Sequence, residues 1–180
     1  MASRQWYLVG GIAAALIGGA WALVRITPPE LRVSVGTAAP DYKVYRLATA
    51  DSVSLRTGYS GSVTLINAWA TYCVPCRTEM PAMERLYDSL GPHGFRIAAV
   101  SIDASGPEPV RQFAARYQLS FDILQDQSGK IQQVYNFTGL PRSFLINRRG
   151  VIVKEFFGSI EWDSPVNRAV IERLLQEPAT

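Results

Sequence analysis

The sequence predicts an α/β fold in which a mixed central sheet is flanked by helices, with a short N-terminal β extension and one transmembrane helix ahead of it. Three observations carry that expectation. Dense apolar runs of strand length, such as Ser62 to Trp69 and Phe95 to Ile102, alternate with segments whose apolar residues recur at helical spacing. The alternation ends in two strand-like runs joined by a tight turn, which puts an antiparallel pair into the sheet. Ahead of all this, Trp6 to Val24 is a run of 19 residues without a charge, bounded by Arg4 and Arg25.

As a helix rising about 1.5 Å per residue, that run would span about 28 Å, close to the hydrocarbon thickness of a bilayer. Trp6, Tyr7 and Trp21 suit the two interfaces, where an amphipathic ring keeps its polar edge wet. Ala20-Trp21-Ala22 has the small-x-small form of a signal-peptide cleavage site. The run is longer than the apolar stretch of about 7–15 residues usual in cleaved signals, which favours an uncleaved anchor. Both readings export the rest of the chain. Residues 1–25 are thus expected as the anchor, 26–36 as a linker through Thr27-Pro28-Pro29, and 37–180 as the exported domain.

In that domain, Tyr42 to Leu47 and Ser52 to Leu55 read as two short strands around Ala48-Thr49-Ala50-Asp51. Ser62 to Trp69 is apolar on both alternating faces, the mark of a strand covered on both sides. A helix from Val74 to Leu90 should come next, with Met80, Met83, Leu86, Tyr87 and Leu90 at helical spacing and Gly91-Pro92 as its stop. Phe95 to Ile102 is a second buried strand, and Glu108 to Tyr117 a helix opened by Pro107 and Pro109. Phe121 to Gln125 reads as a short strand and Lys130 to Tyr135 as a short helix. Arg142 to Asn147 and Val151 to Phe157 form the hairpin around Asn147-Arg148-Arg149-Gly150, where glycine can take the left-handed turn position. Asp163 to Leu175 closes the chain, capped by Asp163 or Ser164, with Pro165 in its first turn and Val166, Val170 and Leu174 four apart.

Composition excludes several classes of function. Two cysteines and one histidine cannot supply the four donors of a structural zinc site, nor a disulfide-rich framework. The chain is 48% hydrophobic and 18% charged, the balance of a globular protein and not of a disordered one. Its net charge of +3 shrinks to +1 from Ile26 onward once Arg4 and Arg25 are set aside. The remaining basic residues are scattered, so no stripe is offered to nucleic-acid phosphates.

Both cysteines fall in Cys73-Val74-Pro75-Cys76, where a strand gives way to a helix. The first sulfur then sits at a helix N-terminus, whose free N–H groups and positive dipole end stabilise a thiolate. Cys73 is the expected nucleophile. Cys76, one turn further on, can attack a mixed disulfide on Cys73 and release a reduced partner. Other readings of the pair are a zinc half-site completed by a dimer, a two-coordinate Cu(I) site, and a structural disulfide, which over so short a loop stabilises little. Glu79, at i+3 from Cys76, shares its helix face and could exchange a proton with that sulfur. The bland alternative is a solvated glutamate favoured by the helix dipole. His93, in Gly91-Pro92-His93-Gly94, reads as a solvent-exposed turn histidine. A peroxiredoxin reading fails, since Thr71 lies only two residues before Cys73 and the peroxidatic Pro-x-x-x-Thr-x-x-Cys pattern is absent.

The segment Trp69-Ala70-Thr71-Tyr72-Cys73-Val74-Pro75-Cys76-Arg77-Thr78-Glu79-Met80-Pro81 resembles the active site of membrane-anchored thioredoxin-like proteins of the TlpA and ResA type. Ala39-Pro40-Asp41, Asn67 and Gly139-Leu140-Pro141 extend the resemblance, which covers about residues 36 to 176. It implies a thioredoxin fold. It also implies that Pro141 is the cis-proline facing the cysteine pair, although trans is the default for an X-Pro bond. Leu140 would lend its backbone to an extended substrate segment, Trp69 would pack beside the site as a substrate contact, and Pro81 would kink the active-site helix. Glu79 matches an active-site glutamate, while the neutral Asn67 stands where ordinary thioredoxins bury an aspartate. Tyr72 departs from the usual tryptophan.

The function expected is that of a thiol-disulfide oxidoreductase, reducing protein disulfides outside the cytoplasm by Cys73 attack and Cys76 resolution. Alternatives are a Cu(I)-delivery module using the same pair, and an oxidant that donates disulfides. The resemblance implies work in cytochrome c maturation or copper-centre assembly, on partners such as an apocytochrome c or a copper-centre assembly protein. No cofactor is expected. Electrons would come from a membrane donor protein, because the sequence carries no flavin or nicotinamide motif. The expected location is the cell membrane, by a single pass, with the domain on the periplasmic side.

Overall fold

In the computed structural model, residues 2–26 and 33–178 are described, and they fall into two units. The first is one helix, α1, Ala2–Ile26. Every described side chain on it, from Val9 to Trp21, is exposed. Among the described residues no helix is long and apolar enough to cross a membrane. The expected linker from Thr27 to Arg32 lies outside the described residues, as do the side chains of Arg4, Trp6, Tyr7 and Arg25.

The second unit runs from Val33 and contains β1 (Lys43–Arg46), β2 (Asp51–Ser54), β3 (Val63–Trp69), α2 (Val74–Leu90), β4 (Phe95–Ser101), α3 (Pro107–Arg116), β5 (Asp122–Gln125), α4 (Ile131–Val134), β6 (Arg142–Ile146), β7 (Ile152–Phe157) and α5 (Pro165–Gln176). Val33 to Gly36, expected in the linker, instead belong to it. The Gly36 N–H donates to the Ile152 carbonyl at 2.8 Å and the Ile152 N–H to the Thr37 carbonyl at 2.9 Å. These residues thereby cover part of the β7 edge, which would otherwise present unpaired backbone groups.

The sheet order is β2-β1-β5-β4-β3-β6-β7. β3, β4 and β5 run parallel; β6 and β7 are antiparallel to their neighbours, as is β1 to both β2 and β5. β3 lies between β4 and β6, and all seven of its residues are buried, which is why it reads as a mostly apolar run, with Thr64 and Asn67 its only polar members. Alternation sends Leu65, Ile97 and Ile123 into one core with Met80, Met83 and Leu86 of α2, Val110 of α3, and Ile171 and Leu174 of α5. Ile66, Ala98 and Leu124 enter the other, beneath Tyr59, Ile131 and Tyr135. Helices thus flank both faces unequally, three on one and the four-residue α4 on the other.

Local chemistry fixes the ends. Ser164, not Asp163, caps α5 by accepting from the Asn167 N–H, while Asp163 pairs with Arg85 of α2. The β6–β7 turn is held by Asn147 Oδ1, which accepts from the Arg149 and Val151 N–H groups, and Gly150 takes φ 77°. The cysteine pair at the end of β3 and the proline leading into β6 give the thioredoxin arrangement that the resemblance implies, with β1 and β2 as the N-terminal extension.

Candidate active site

Between Trp69, which ends β3, and Val74, which begins α2, four residues must turn a strand into a helix. Asp103, buried just after β4, holds that turn. Its carboxylate accepts from the Thr71 N–H at 2.9 Å, the Thr71 hydroxyl at 2.5 Å and the Ser101 hydroxyl at 2.6 Å. A further bond from the Cys73 N–H to the Ala70 carbonyl, 3.1 Å, closes it. Cys73 becomes the N-cap of α2, with extended backbone and its Sγ accepting from the Cys76 N–H at 3.3 Å. Pro75, in the first turn, has no N–H to waste there.

Cys73 and Cys76 are joined as a disulfide with Cα atoms 5.3 Å apart. Their environments differ. Cys73 retains 8% exposure beside the exposed Tyr72 and Val74, whereas Cys76 has none. A partner can reach only the first sulfur, which on reduction would keep a backbone donor and the positive end of α2 to stabilise a thiolate. Among the described residues no three His, Cys, Asp or Glu side chains converge as a metal cage would.

Glu79 is 1% exposed, so the solvated reading does not hold. Its Oε1 accepts from Asn67 Nδ2 at 2.8 Å, and its Oε2 from the Ile160 N–H at 3.1 Å and Trp162 Nε1 at 3.0 Å. Burial pushes its carboxyl up to about 7, outweighing the three hydrogen bonds that favour the ionised form. α2 places it one turn beyond Cys76 on the same face.

Trp69, expected as a substrate contact, is fully buried; its ring packs 4.8 Å from that of Phe113 on α3 and shows no surface to a partner. It is a wall of the site, in one apolar cluster with both cysteines, and Leu140 packs on that cluster half-buried. The Leu140–Pro141 bond is cis. Leu140 has no backbone hydrogen bond among the described residues, and the Pro141 carbonyl accepts from the Gly158 N–H at 3.1 Å. His93 is exposed in the turn after α2. Sequence reading missed Asp103, Ser143, Ile160 and Trp162. An apolar residue in the loop before a helix gives no local sign that its indole will bond an acid 83 positions upstream.

All the redox chemistry these residues offer runs through one bond, which opens to two thiols when two electrons arrive. On a thioredoxin-like fold that defines a thiol-disulfide oxidoreductase. The chain belongs to the AhpC/TSA family, which it matches over residues 35–155. It is similar to the thioredoxin-like protein YneN of Bacillus subtilis, 35% identical over 83% of this chain and 87% of the relative. It is also similar to the thiol-disulfide oxidoreductase ResA of Oceanobacillus iheyensis, 33% identical over 72% of this chain and 68% of that protein. Among solved structures, a candidate thiol:disulfide interchange protein DsbE from Chlorobium tepidum superposes with a TM-score of 0.68 at 28% identity, covering 80% and 96% of the two chains.

Proposed function

We propose that this oxidoreductase works as a reductase of protein disulfides outside the cytoplasm, held to the membrane by α1. The observation that carries the mechanism is the asymmetry of the cysteine pair, with a buried acid one helical turn beyond the inner cysteine. In the reduced protein the Cys73 thiolate attacks one sulfur of a substrate disulfide. That S–S bond breaks, a mixed disulfide forms on Cys73, and the first substrate sulfur leaves and takes a proton. Cys76 then gives its proton to the Glu79 carboxylate and attacks Cys73 Sγ. The second substrate sulfur departs as a thiolate, and the Cys73–Cys76 disulfide is complete. The substrate has gained two electrons. A donor dithiol restores the pair, and Glu79 returns its proton to the Cys76 thiolate.

Because the sequence holds only these two cysteines, no second pair in it can supply the electrons, and a membrane donor protein fits an anchored domain. Support for the anchor is the 19-residue uncharged run, lying within a single 25-residue helix whose described side chains are all exposed. The Leu140 backbone, free beside the cysteine cluster, fits an extended segment of the substrate. The substrates proposed are exported proteins whose cysteines must be reduced before haem or copper is attached, such as an apocytochrome c or a copper-centre assembly protein. In membranes carrying the full chain, Cys76→Ser should accumulate a mixed disulfide on Cys73 that dissolves in dithiothreitol. No adduct, or the same adduct when Cys73 is also replaced by Ser, would overturn the mechanism.

A further inference from the structure

The polar cluster behind the disulfide contains a buried atom without a partner. Asn67, fully buried on β3, donates from Nδ2 both to Glu79 Oε1 at 2.8 Å and to Ser143 Oγ at 2.9 Å. Its Oδ1 accepts nothing. Such orphans are uncommon in folded proteins, since the lost hydration is not replaced.

Glu79 has the complementary difficulty. Asn67 Nδ2, the Ile160 N–H and Trp162 Nε1 all donate to it, an arrangement that suits only the carboxylate. Once protonated, Glu79 needs an acceptor. Oε2 already faces two donors, a backbone N–H and an indole, and neither can turn into an acceptor. Oε1 faces one, the Asn67 amide, so the proton belongs on Oε1. There it meets N–H head on, unless the amide presents its other end. A half turn about Cβ–Cγ does this, because Oδ1 and Nδ2 are nearly the same size. Oδ1 then accepts from Glu79 Oε1–H and also from the Ser143 hydroxyl, which rotates from acceptor to donor. The facing ends of Glu79, Asn67 and Ser143 are then matched donor to acceptor in both protonation states, while the other end of the Asn67 amide stays at the position that has no partner.

We infer that Asn67 is a positioning residue whose amide makes a half turn each time Glu79 gains or loses a proton, with the Ser143 hydroxyl turning in step. The inference rests on the proposed role of Glu79 as proton carrier. When Cys76 surrenders its proton, Oδ1 receives the new Oε1–H; when the proton returns to the Cys76 thiolate, Nδ2 faces the carboxylate again. Nothing is consumed. The groups acting on the Glu79 carboxyl are Asn67 from β3 and Ile160 and Trp162 from the segment before α5, none of them charged, and the two sulfurs are tied in the disulfide. An aspartate at position 67 could not donate, and would bring a second titration.

Nuclear magnetic resonance of the oxidised full chain in detergent micelles tests the inference. Between about pH 5 and about pH 9, two signals are followed: the carboxyl carbon of Glu79 and the Overhauser effect from the Asn67 amide protons to the Ser143 β protons. That effect should be strong at the alkaline end and fall at least about fivefold at the acid end, with the midpoint of the Glu79 titration. A constant effect while Glu79 titrates overturns the turning amide and leaves the proton carrier standing. A Glu79 signal that never titrates in this range overturns both. Asn67→Leu gives a second reading. A fixed donor stabilises only the carboxylate, so its loss would raise the Glu79 midpoint by about one pH unit or more. A turning amide serves both states, and the expected rise is under about half a unit; a full unit overturns it.

Discussion

Replacing Glu79 by Gln should abolish a pH dependence of stability whose size is set by the site. In the unfolded chain the carboxyl ionises at its ordinary 4.5, and in the folded protein burial raises it to about 7. Between those values the folded form holds more protons than the unfolded one. Stability is therefore highest below about pH 4.5, falls as pH rises through about 4.5 to 7, and is flat above. A displacement of this size corresponds to about 3 kcal/mol. Glutamine stays neutral throughout, and its shape lets Oε1 accept from Ile160 and Trp162 while its amide nitrogen donates to Asn67 Oδ1 once that amide has made the half turn inferred above. The variant should match the wild type near pH 4.5 and exceed it by about 3 kcal/mol near pH 8. Urea denaturation of the oxidised proteins, followed by fluorescence of the buried Trp69 and Trp162, gives both curves. Subtracting one from the other cancels the remaining titrating groups. A difference that does not vary with pH, or a variant less stable than the wild type near pH 8, would refute the assignment of a desolvated, titrating Glu79.

Trp162→Phe removes one of the two donors to Glu79 Oε2 and disfavours the carboxylate; the midpoint of the Glu79 carboxyl-carbon titration in the oxidised protein should rise by about one unit. Asp103→Ala strips the acceptor from the Thr71 N–H and from the Thr71 and Ser101 hydroxyls, and should cost about 3 kcal/mol in urea denaturation, with Asp103→Asn losing less because it retains one oxygen.

Much of the sheet was legible because its strands are buried on both faces. Val63–Trp69 and Phe95–Ser101 carry apolar side chains into two cores at once, and no helix-forming period interrupts them. The cysteine pair was legible because its chemistry is local: a helix start, two sulfurs three residues apart, and a proline between them. Long-range partners were not. Glu79 is completed by a residue 12 positions upstream and two groups 81 and 83 positions downstream, brought together only by the sheet order and the docking of the segment before α5. Trp69 lost its expected substrate role for the same reason, since Phe113 of α3 covers it and the apolar stripe of Val110, Phe113 and Ala114 does not say which residue of the sheet it will cover. The first residues of the domain were hidden too. Val33–Gly36 look like linker because their pairing is to a strand more than a hundred residues away.

Complete shielding of Cys76 gives the proton-carrier role proposed for Glu79 its physical reason. A sulfur out of reach of water cannot hand its proton to solvent, yet it must ionise before it can attack Cys73. Asn67 cannot take the proton because a neutral amide does not titrate. In the proposed mechanism Glu79 takes it, and a carboxylate ionising at the ordinary 4.5 would be a weak base for that task. Raised to about 7, it is the stronger base by about 3 kcal/mol, and the transfer is easier by that amount. Desolvation of the carboxylate is thus one effect with two consequences: it lowers the stability of the fold by about 3 kcal/mol above neutral pH, and it brings the acceptor's affinity for a proton towards that of the donor. A variant that let water reach Glu79 would be the more stable protein near pH 8 and the slower one at resolving its mixed disulfide.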